Sequence, residues 1–226
     1  MNLIIVENLM KTYKVCKVET EVLRGLDFSI DQKEFVSLIG PSGSGKTTLL
    51  YVLGGLEDYQ KGSVRIFDKE LSSYSDQEKG LLRSHDIGFV FQFYNLIPNL
   101  TAYENVQLAS VIGKQKSKED IEHILDLVGM KDYMNHYPSQ LSGGMQQRIS
   151  IARALINDPL ILFADEPTGN LDLKNSHKIM ELFKMLNEKL NLTILMVTHN
   201  EDLTTYGTRT LHMLDGKVIK DEKKSE

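Results

Sequence analysis

A chain of 226 residues is long enough for one large domain, or a core with a modest inserted lobe, and too short for two independent enzymes. Its 41% hydrophobic and 25% charged residues predict a packed core and exclude a disordered chain. A formal charge of -5 argues against broad electrostatic attachment to nucleic acid, so no nucleic-acid partner is expected and an anionic ligand must be held locally.

The stretch Met1 to Met10 lacks a basic leader and carries Glu7 among its apolar residues, so it reads as a first strand and not as a signal peptide. The single cysteine, Cys16, has no partner for an internal disulfide, in keeping with a reducing compartment; it reads as a loop or strand residue. Short β-rich runs dominate the first third, at Leu3 to Val6, Val22 to Ile30, Phe35 to Ile39 and Ser63 to Phe67. No apolar run reaches the roughly 18 residues that cross a bilayer, so no direct membrane insertion is expected.

Phe35 to Ile39 leads into Gly40-Pro41-Ser42-Gly43-Ser44-Gly45-Lys46-Thr47 and then an apolar helical stretch, Thr47 to Leu53. This is the strand, loop and helix order of a phosphate loop. Small residues let successive backbone N–H groups converge on phosphate oxygens, and the helix presents its N-terminus to the same anion. Lys46 adds a point charge at the β- and γ-phosphates, Thr47 a hydroxyl for Mg²⁺, and Thr48 a further phosphate hydrogen bond. A nucleoside triphosphate with Mg²⁺ is therefore the expected ligand.

A strand is predicted at Ile87 to Phe91. The pairs Thr101 with Glu104 and Ser117 with Asp120 resemble helix-start capping pairs, the second opening the pattern Ile121, Ile124, Leu125, Val128. Tyr137 and Pro138 interrupt it, and Ser142 to Ile156 reads as a further helix.

Leu160 to Ala164 is an apolar strand that ends in Asp165 and Glu166. Acids at a buried strand tip reach a nucleotide at the carboxyl edge of a sheet, and alternation along the strand gives the two different tasks. Asp165 is expected to orient the Mg²⁺ shell and Glu166 to polarise the attacking water, the bland alternative being a solvated turn before Pro167. A helix with the stripe Ile179, Leu182, Phe183, Leu186, Leu190 separates this strand from Thr193 to Thr198, implying a parallel crossover.

His199 falls at the carboxyl end of that second strand, where a γ-phosphate sensor belongs, whereas the other five histidines have no metal-ligand spacing. Leu211 to Leu214 and Lys217 to Lys220 around Asp215-Gly216 form a two-residue hairpin signal, with the charged tail beyond expected to fray. The fold class is α/β, with a core at 1–92 and 159–226 and an inserted helical lobe at about 93–158.

Leu141-Ser142-Gly143-Gly144-Met145-Gln146-Gln147-Arg148 resembles the signature motif of ABC ATPases, and the resemblance then covers essentially the whole chain. It implies a P-loop NTPase core, with a RecA-like mixed sheet and an N-terminal antiparallel β subdomain, plus an α-helical subdomain, and it makes ATP the nucleotide expected with Mg²⁺. It also implies that Ser142, Gly143 and Gly144 face the γ-phosphate bound to a second subunit in a head-to-tail dimer, a homodimer being expected. Met145 stands where the family most often has glutamine. By the same resemblance Tyr13 stacks on adenine, Gln92 links Mg²⁺ to the helical lobe, and Asp172, in the loop Glu166-Pro167-Thr168-Gly169-Asn170-Leu171-Asp172, contacts the opposite subunit.

The segment Gln92 to Thr101, with Thr168 to Asp172, resembles the branch of lipoprotein-release, macrolide-export and antimicrobial-peptide-resistance transporters. The expectation is an ATP-hydrolysing subunit at the inner face of the cell membrane, held by a transmembrane permease whose cytoplasmic helix meets Phe93, Tyr94, Leu96 and Ile97. The alternatives are a permease-linked regulator that moves no cargo, and a DNA-repair or translation ABC ATPase. The latter is disfavoured because there is one cassette, no heptad stretch and no basic bias.

Overall fold

The computed structural model describes residues 1–15 and 18–224; Cys16 lies outside them. Among the described residues ten strands form two sheets. The first is antiparallel, in the order β2-β1-β4-β5, and is built from β1 (Asn2–Val15), β2 (Val18–Asp31), β4 (Lys61–Ile66) and β5 (Lys69–Glu70). The second, in the order β10-β9-β3-β8-β7-β6, contains β3 (Phe35–Ile39), β6 (Ile87–Phe91), β7 (Ile161–Asp165), β8 (Thr193–Thr198), β9 (Arg209–Leu214) and β10 (Lys217–Lys223). Its strands are parallel except for β10, so the sheet is mixed.

The central strands are covered on both sides, which explains their unbroken apolar runs. In β7 and β8, Leu162, Ala164, Ile194 and Met196 join one hydrophobic cluster, while Ile161, Phe163, Leu195 and Val197 join the other. The first cluster is shared with α3 (Ala102–Ile112), α4 (Lys118–Leu127), α5 (Gly143–Leu155) and α6 (Leu173–Leu190). The second packs α1 (Lys46–Leu53) between the two sheets. Each fully buried Leu, Ile or Phe contributes about 1.5–3 kcal/mol, so the sandwiching of the sheet carries most of the fold. Among the described residues no helix is long and apolar enough to cross a membrane.

Both capping pairs read from the sequence close as reciprocal boxes, Thr101 with Glu104 and Ser117 with Asp120. A third, Ser75 with Glu78, opens α2 (Asp76–His85), a helix the sequence reading lacks. Only Leu82 of α2 is buried, so no apolar stripe announces it; the Ser75–Glu78 spacing was the available signal.

The end of the chain corrects another expectation. Instead of fraying after Lys220, β10 continues to Lys223, because the buried Arg209 guanidinium forms a two-bond fork on Asp221 (2.7 and 2.6 Å) and also meets Glu34 at 3.0 Å. The Arg209 bonds hold the Asp221 carboxyl below its ordinary range. At the hairpin tip Asp215 and Gly216 both have positive φ (47° and 76°), the geometry of a primed two-residue turn. Gly216 is required there, since an added Cβ would lie 2.4 Å from the Val22 carbonyl oxygen. Its N–H donates to Ser44 O at 3.1 Å and its carbonyl accepts from Arg24 N at 2.9 Å, so the turn braces the 40–47 loop against β2.

Candidate functional site

The loop 40–47 leaves the carboxyl end of β3 and enters α1 through Gly45, whose φ of +97° no side chain adopts without strain. No side chain caps α1, so its first N–H groups are presented to the pocket in front of them. Val22, Ser42, Gly43, Gly45, Lys46, Thr47, Thr48, Gln92, Glu166 and His199 line this pocket, of about 500 Å³. Lys46 is buried, and its ammonium donates to the carbonyls of Gly40 (2.8 Å) and Pro41 (2.9 Å). Burial lowers its pKa, and the Glu166 and Asp165 carboxylates oppose that shift. An ammonium held among carbonyls at a helix N-terminus is suited to a polyphosphate.

Asp165 ends β7, two positions across the sheet from β3, with β8 between them. Its Oδ1 accepts from the Thr47 hydroxyl at 3.1 Å. Burial pushes the Asp165 carboxyl up, the Thr47 bond pulls it down, and the neighbouring Glu166 pushes it up again. A hydroxyl and a carboxylate at this separation are hard oxygen donors of the kind that hold Mg²⁺ together with phosphates and water. Thr47 and Asp165 would hold such an ion beside the phosphates of a nucleotide.

Glu166 diverges from Asp165 for a reason other than strand alternation. The strand ends at Asp165, and Glu166 adopts φ +47°, a left-handed conformation that costs a non-glycine residue about 1–3 kcal/mol. Two backbone bonds hold it there, Glu166 N to Val197 O and Gly169 N to Glu166 O, both at 3.0 Å. The turn swings the carboxylate into the pocket, where its Oε2 lies 3.0 Å from His199 Nδ1. A carboxylate tied to an imidazole at a pocket mouth can orient a water and accept its proton.

Gln92, just past β6, exchanges hydrogen bonds with Asn170: Gln92 Nε2 donates to Asn170 Oδ1 (3.2 Å) and Asn170 Nδ2 donates to Gln92 O (2.9 Å). Tyr13 is absent from the pocket wall; it sits on β1 with its hydroxyl donated to Glu57. Ser142, Gly143 and Gly144 also lie outside the pocket wall. Ser142 caps α5, accepting from Met145 N at 3.4 Å, so the Met145 position keeps its backbone donor. Asp172 is exposed and caps α6 within the chain, accepting from Asn175 N (2.8 Å) and Asn175 Nδ2 (2.8 Å), contacts that lower its pKa.

Sequence reasoning passed over Gln147. It is fully buried in α5, and its amide donates to Pro167 O (2.6 Å) and Phe91 O (3.3 Å). One side chain thus ties the helix that opens on Ser142 to the residues flanking both Gln92 and Glu166. The signal was a polar residue on the buried face of α5, with Ser150 and Ile151 one turn on.

A second cavity, of about 440 Å³, lies beside the segment after Gln92. Its walls include Arg83, His85, Phe89, Phe91, Ile112 and Arg153, and not the cluster Phe93, Tyr94, Leu96 and Ile97 named from the sequence. Phe93 is 72% exposed, Leu96 packs on the core, and Tyr94 contributes its carbonyl to Arg153 (2.8 Å).

A glycine-rich loop between a central parallel strand and a helix, facing a carboxylate at the tip of a second parallel strand, defines a P-loop nucleoside triphosphatase. Within that class, the family described as ABC transporter matches residues 23–169. The chain belongs to this family, as an ATP-binding and ATP-hydrolysing subunit. It is 47% identical over 215 residues to the lipoprotein-releasing system ATP-binding protein LolD of Cytophaga hutchinsonii, covering 94% of this chain and 96% of that one. It is 44% identical to the macrolide export ATP-binding/permease protein MacB of Chlorobium phaeobacteroides, covering 96% of this chain but 33% of that longer protein. Among solved structures, a dimeric ATP-binding cassette in a post-hydrolysis state with ADP and Pi superposes with a TM-score of 0.90 at 40% identity over 99% of both chains.

Proposed function

We propose that this subunit couples ATP-driven closure of a head-to-tail homodimer to a separate transmembrane permease, for export or mechanical extraction of a lipoprotein, peptide or drug. It works from the cytoplasm at the inner face of the cell membrane, attached through that permease. The division into a core (1–92 and 159–226) and a helical lobe (93–158) is part of this reading, because closure needs two bodies that can shift.

Gly40 to Lys46 cradle the phosphates, with Thr48 adding a hydrogen bond, while Thr47, Asp165 and Gln92 are the residues that would hold Mg²⁺. The ion, when bound, neutralises charge on the phosphate oxygens as the terminal bond breaks. Glu166 takes the proton of the attacking water, and His199 keeps its carboxylate aimed at the pocket. Ser142, Gly143 and Gly144 serve the γ-phosphate held by the partner subunit, Asp172 meets that subunit, and Tyr13 carries the base.

The observation that carries this reading is the convergence on one pocket of Lys46, Thr47 (with Asp165 at 3.1 Å) and Glu166 (with His199 at 3.0 Å), while the Ser142 helix start lies elsewhere. Likeness to LolD and MacB supports the branch. Glu166→Gln is expected to lower ATP turnover by about 10²–10⁴-fold, with ATP binding kept and a dimer accumulating on Mg-ATP. Turnover assays and particle mass with and without nucleotide check this, and unchanged turnover removes Glu166 from its role.

A further inference from the structure

Around Tyr13 the structure builds an assembly that phosphate chemistry does not require. Lys11 and Tyr13 both lie on β1, and both reach Glu57 in the turn that leaves α1. The Tyr13 hydroxyl donates to the Glu57 carboxylate, and the Lys11 ammonium lies 3.3 Å from the same group. Lys11 is only 7% exposed; it also donates to the Asp58 carbonyl and stands 4.8 Å from the centroid of the Tyr13 ring. Burial, then the bond to Glu57, raises the Tyr13 pKa, so the phenol stays protonated and remains a donor. Its hydroxyl is also within reach of Thr48, in the first turn of α1.

We infer that Glu57 is a positioning residue for the nucleotide base, its carboxylate bridging the Tyr13 phenol and the Lys11 ammonium so that the ring stands ready to stack. This rests on Tyr13 being the base platform. Two groups are fixed by one carboxylate. A tyrosine free to rotate loses rotamer entropy when a base stacks on it, whereas a clamped ring has lost it already on folding. Lys11 occupies one face of the ring, so the base takes the other. A cation over an aromatic face also draws electron density from the ring, which favours an electron-rich purine on the opposite side. Glu57 further neutralises the buried Lys11, which would otherwise be an unpaired charge. Because Glu57 N donates to Tyr51 O at 3.3 Å, at the end of the helix that Lys46 begins, α1 connects the base platform to the phosphate cradle.

The test compares affinity of the full chain for Mg-ATP and for magnesium tripolyphosphate, which has the phosphates without the base. Tyr13→Phe, which removes the donor, and Glu57→Gln, which trades a charged acceptor for a weaker neutral one, are expected to weaken ATP by up to roughly fivefold, the worth of one hydrogen bond, and to leave tripolyphosphate unchanged. The double variant is expected to bind ATP no worse than the weaker single one, since both changes act on ATP through the same Tyr13–Glu57 bond. Tyr13→Phe keeps the Lys11–Glu57 pair and guards against a folding defect in Glu57→Gln. If Tyr13→Ala weakens ATP while Tyr13→Phe and Glu57→Gln do not, the clamp is wrong and the base platform survives. Should Tyr13→Ala leave the ratio of the two affinities unchanged, the platform itself is wrong and the clamp falls with it. Equal losses for ATP and tripolyphosphate in Glu57→Gln make Glu57 merely structural and overturn the proposal.

Discussion

The pocket at the edge of the mixed sheet and the start of α5 each present a helix N-terminus, yet they stand in opposite conditions. Around α1, one chain supplies a lysine, a threonine hydroxyl, two carboxylates and a histidine, drawn from three strand ends brought side by side by parallel pairing. Around α5, Ser142 and two glycines offer backbone donors with no cation, carboxylate or hydroxyl partner from the 40–47 loop. A fold can complete a site inside one chain only where its topology converges. In the proposed dimer the donors at Ser142 meet the partner's nucleotide.

The strongest way to break this contrast is Ser142→Asp. Aspartate still caps the helix, so α5 is kept, while a negative charge now faces any incoming phosphate. Hydrolysis is expected to fall about 10²-fold, with ATP affinity of the isolated chain unchanged. Equal loss of both in a titration and a turnover assay would place the two termini in one pocket. Lys46→Ala is the converse change, expected to weaken ATP binding itself by roughly 10- to 150-fold, since it removes a charged donor from the complete half; a titration showing unaltered affinity counts against the cradle. The contrast sharpens at Gln147, which joins the two halves. Gln147→Leu strips Pro167 O and Phe91 O of their donor, so a loss of about 1–3 kcal/mol is expected in denaturant unfolding, with turnover reduced. Unfolding at the wild-type midpoint would show the bridge to be dispensable.

The smallest effect concerns acid stability. Glu78 in the α2 cap is held down to about 2 from 4.5, first by the Lys69 ammonium that donates to it and then by the Ser75 bonds. Because its folded pKa is depressed, its contribution is fully present above about pH 4.5 and is lost as pH falls through about 2. Glu78→Gln is therefore expected to flatten the acid limb of the thermal midpoint in that window, and identical acid limbs would remove the cap from the balance.

Local pattern carried much of this protein. The 40–47 loop, the acid pair at the end of β7, the strand cores and two of the three reciprocal α-helix caps were legible because each depends on residues within a few positions of one another, where spacing alone dictates geometry. The helix at Asp76–His85 escaped because it buries almost nothing, and Gln147 because its two partners lie 20 and 56 positions away. Tyr13 was named, but its clamp was not, since Glu57 is 44 residues distant and looks like any charged turn residue.

By itself, then, the sequence determined the glycine-rich loop and the acid pair that face one another and which strands and helices carry them, because short-range hydrogen bonding and apolar periodicity are written in adjacent residues. Only the tertiary structure decided that Glu166 enters the pocket through a left-handed turn, that β10 runs on to Lys223 under Arg209, and that Gln147 ties α5 to the residues beside Gln92 and Glu166. Those outcomes depend on contacts between residues far apart in the chain, whose distances are set when the sheet and its covering helices pack.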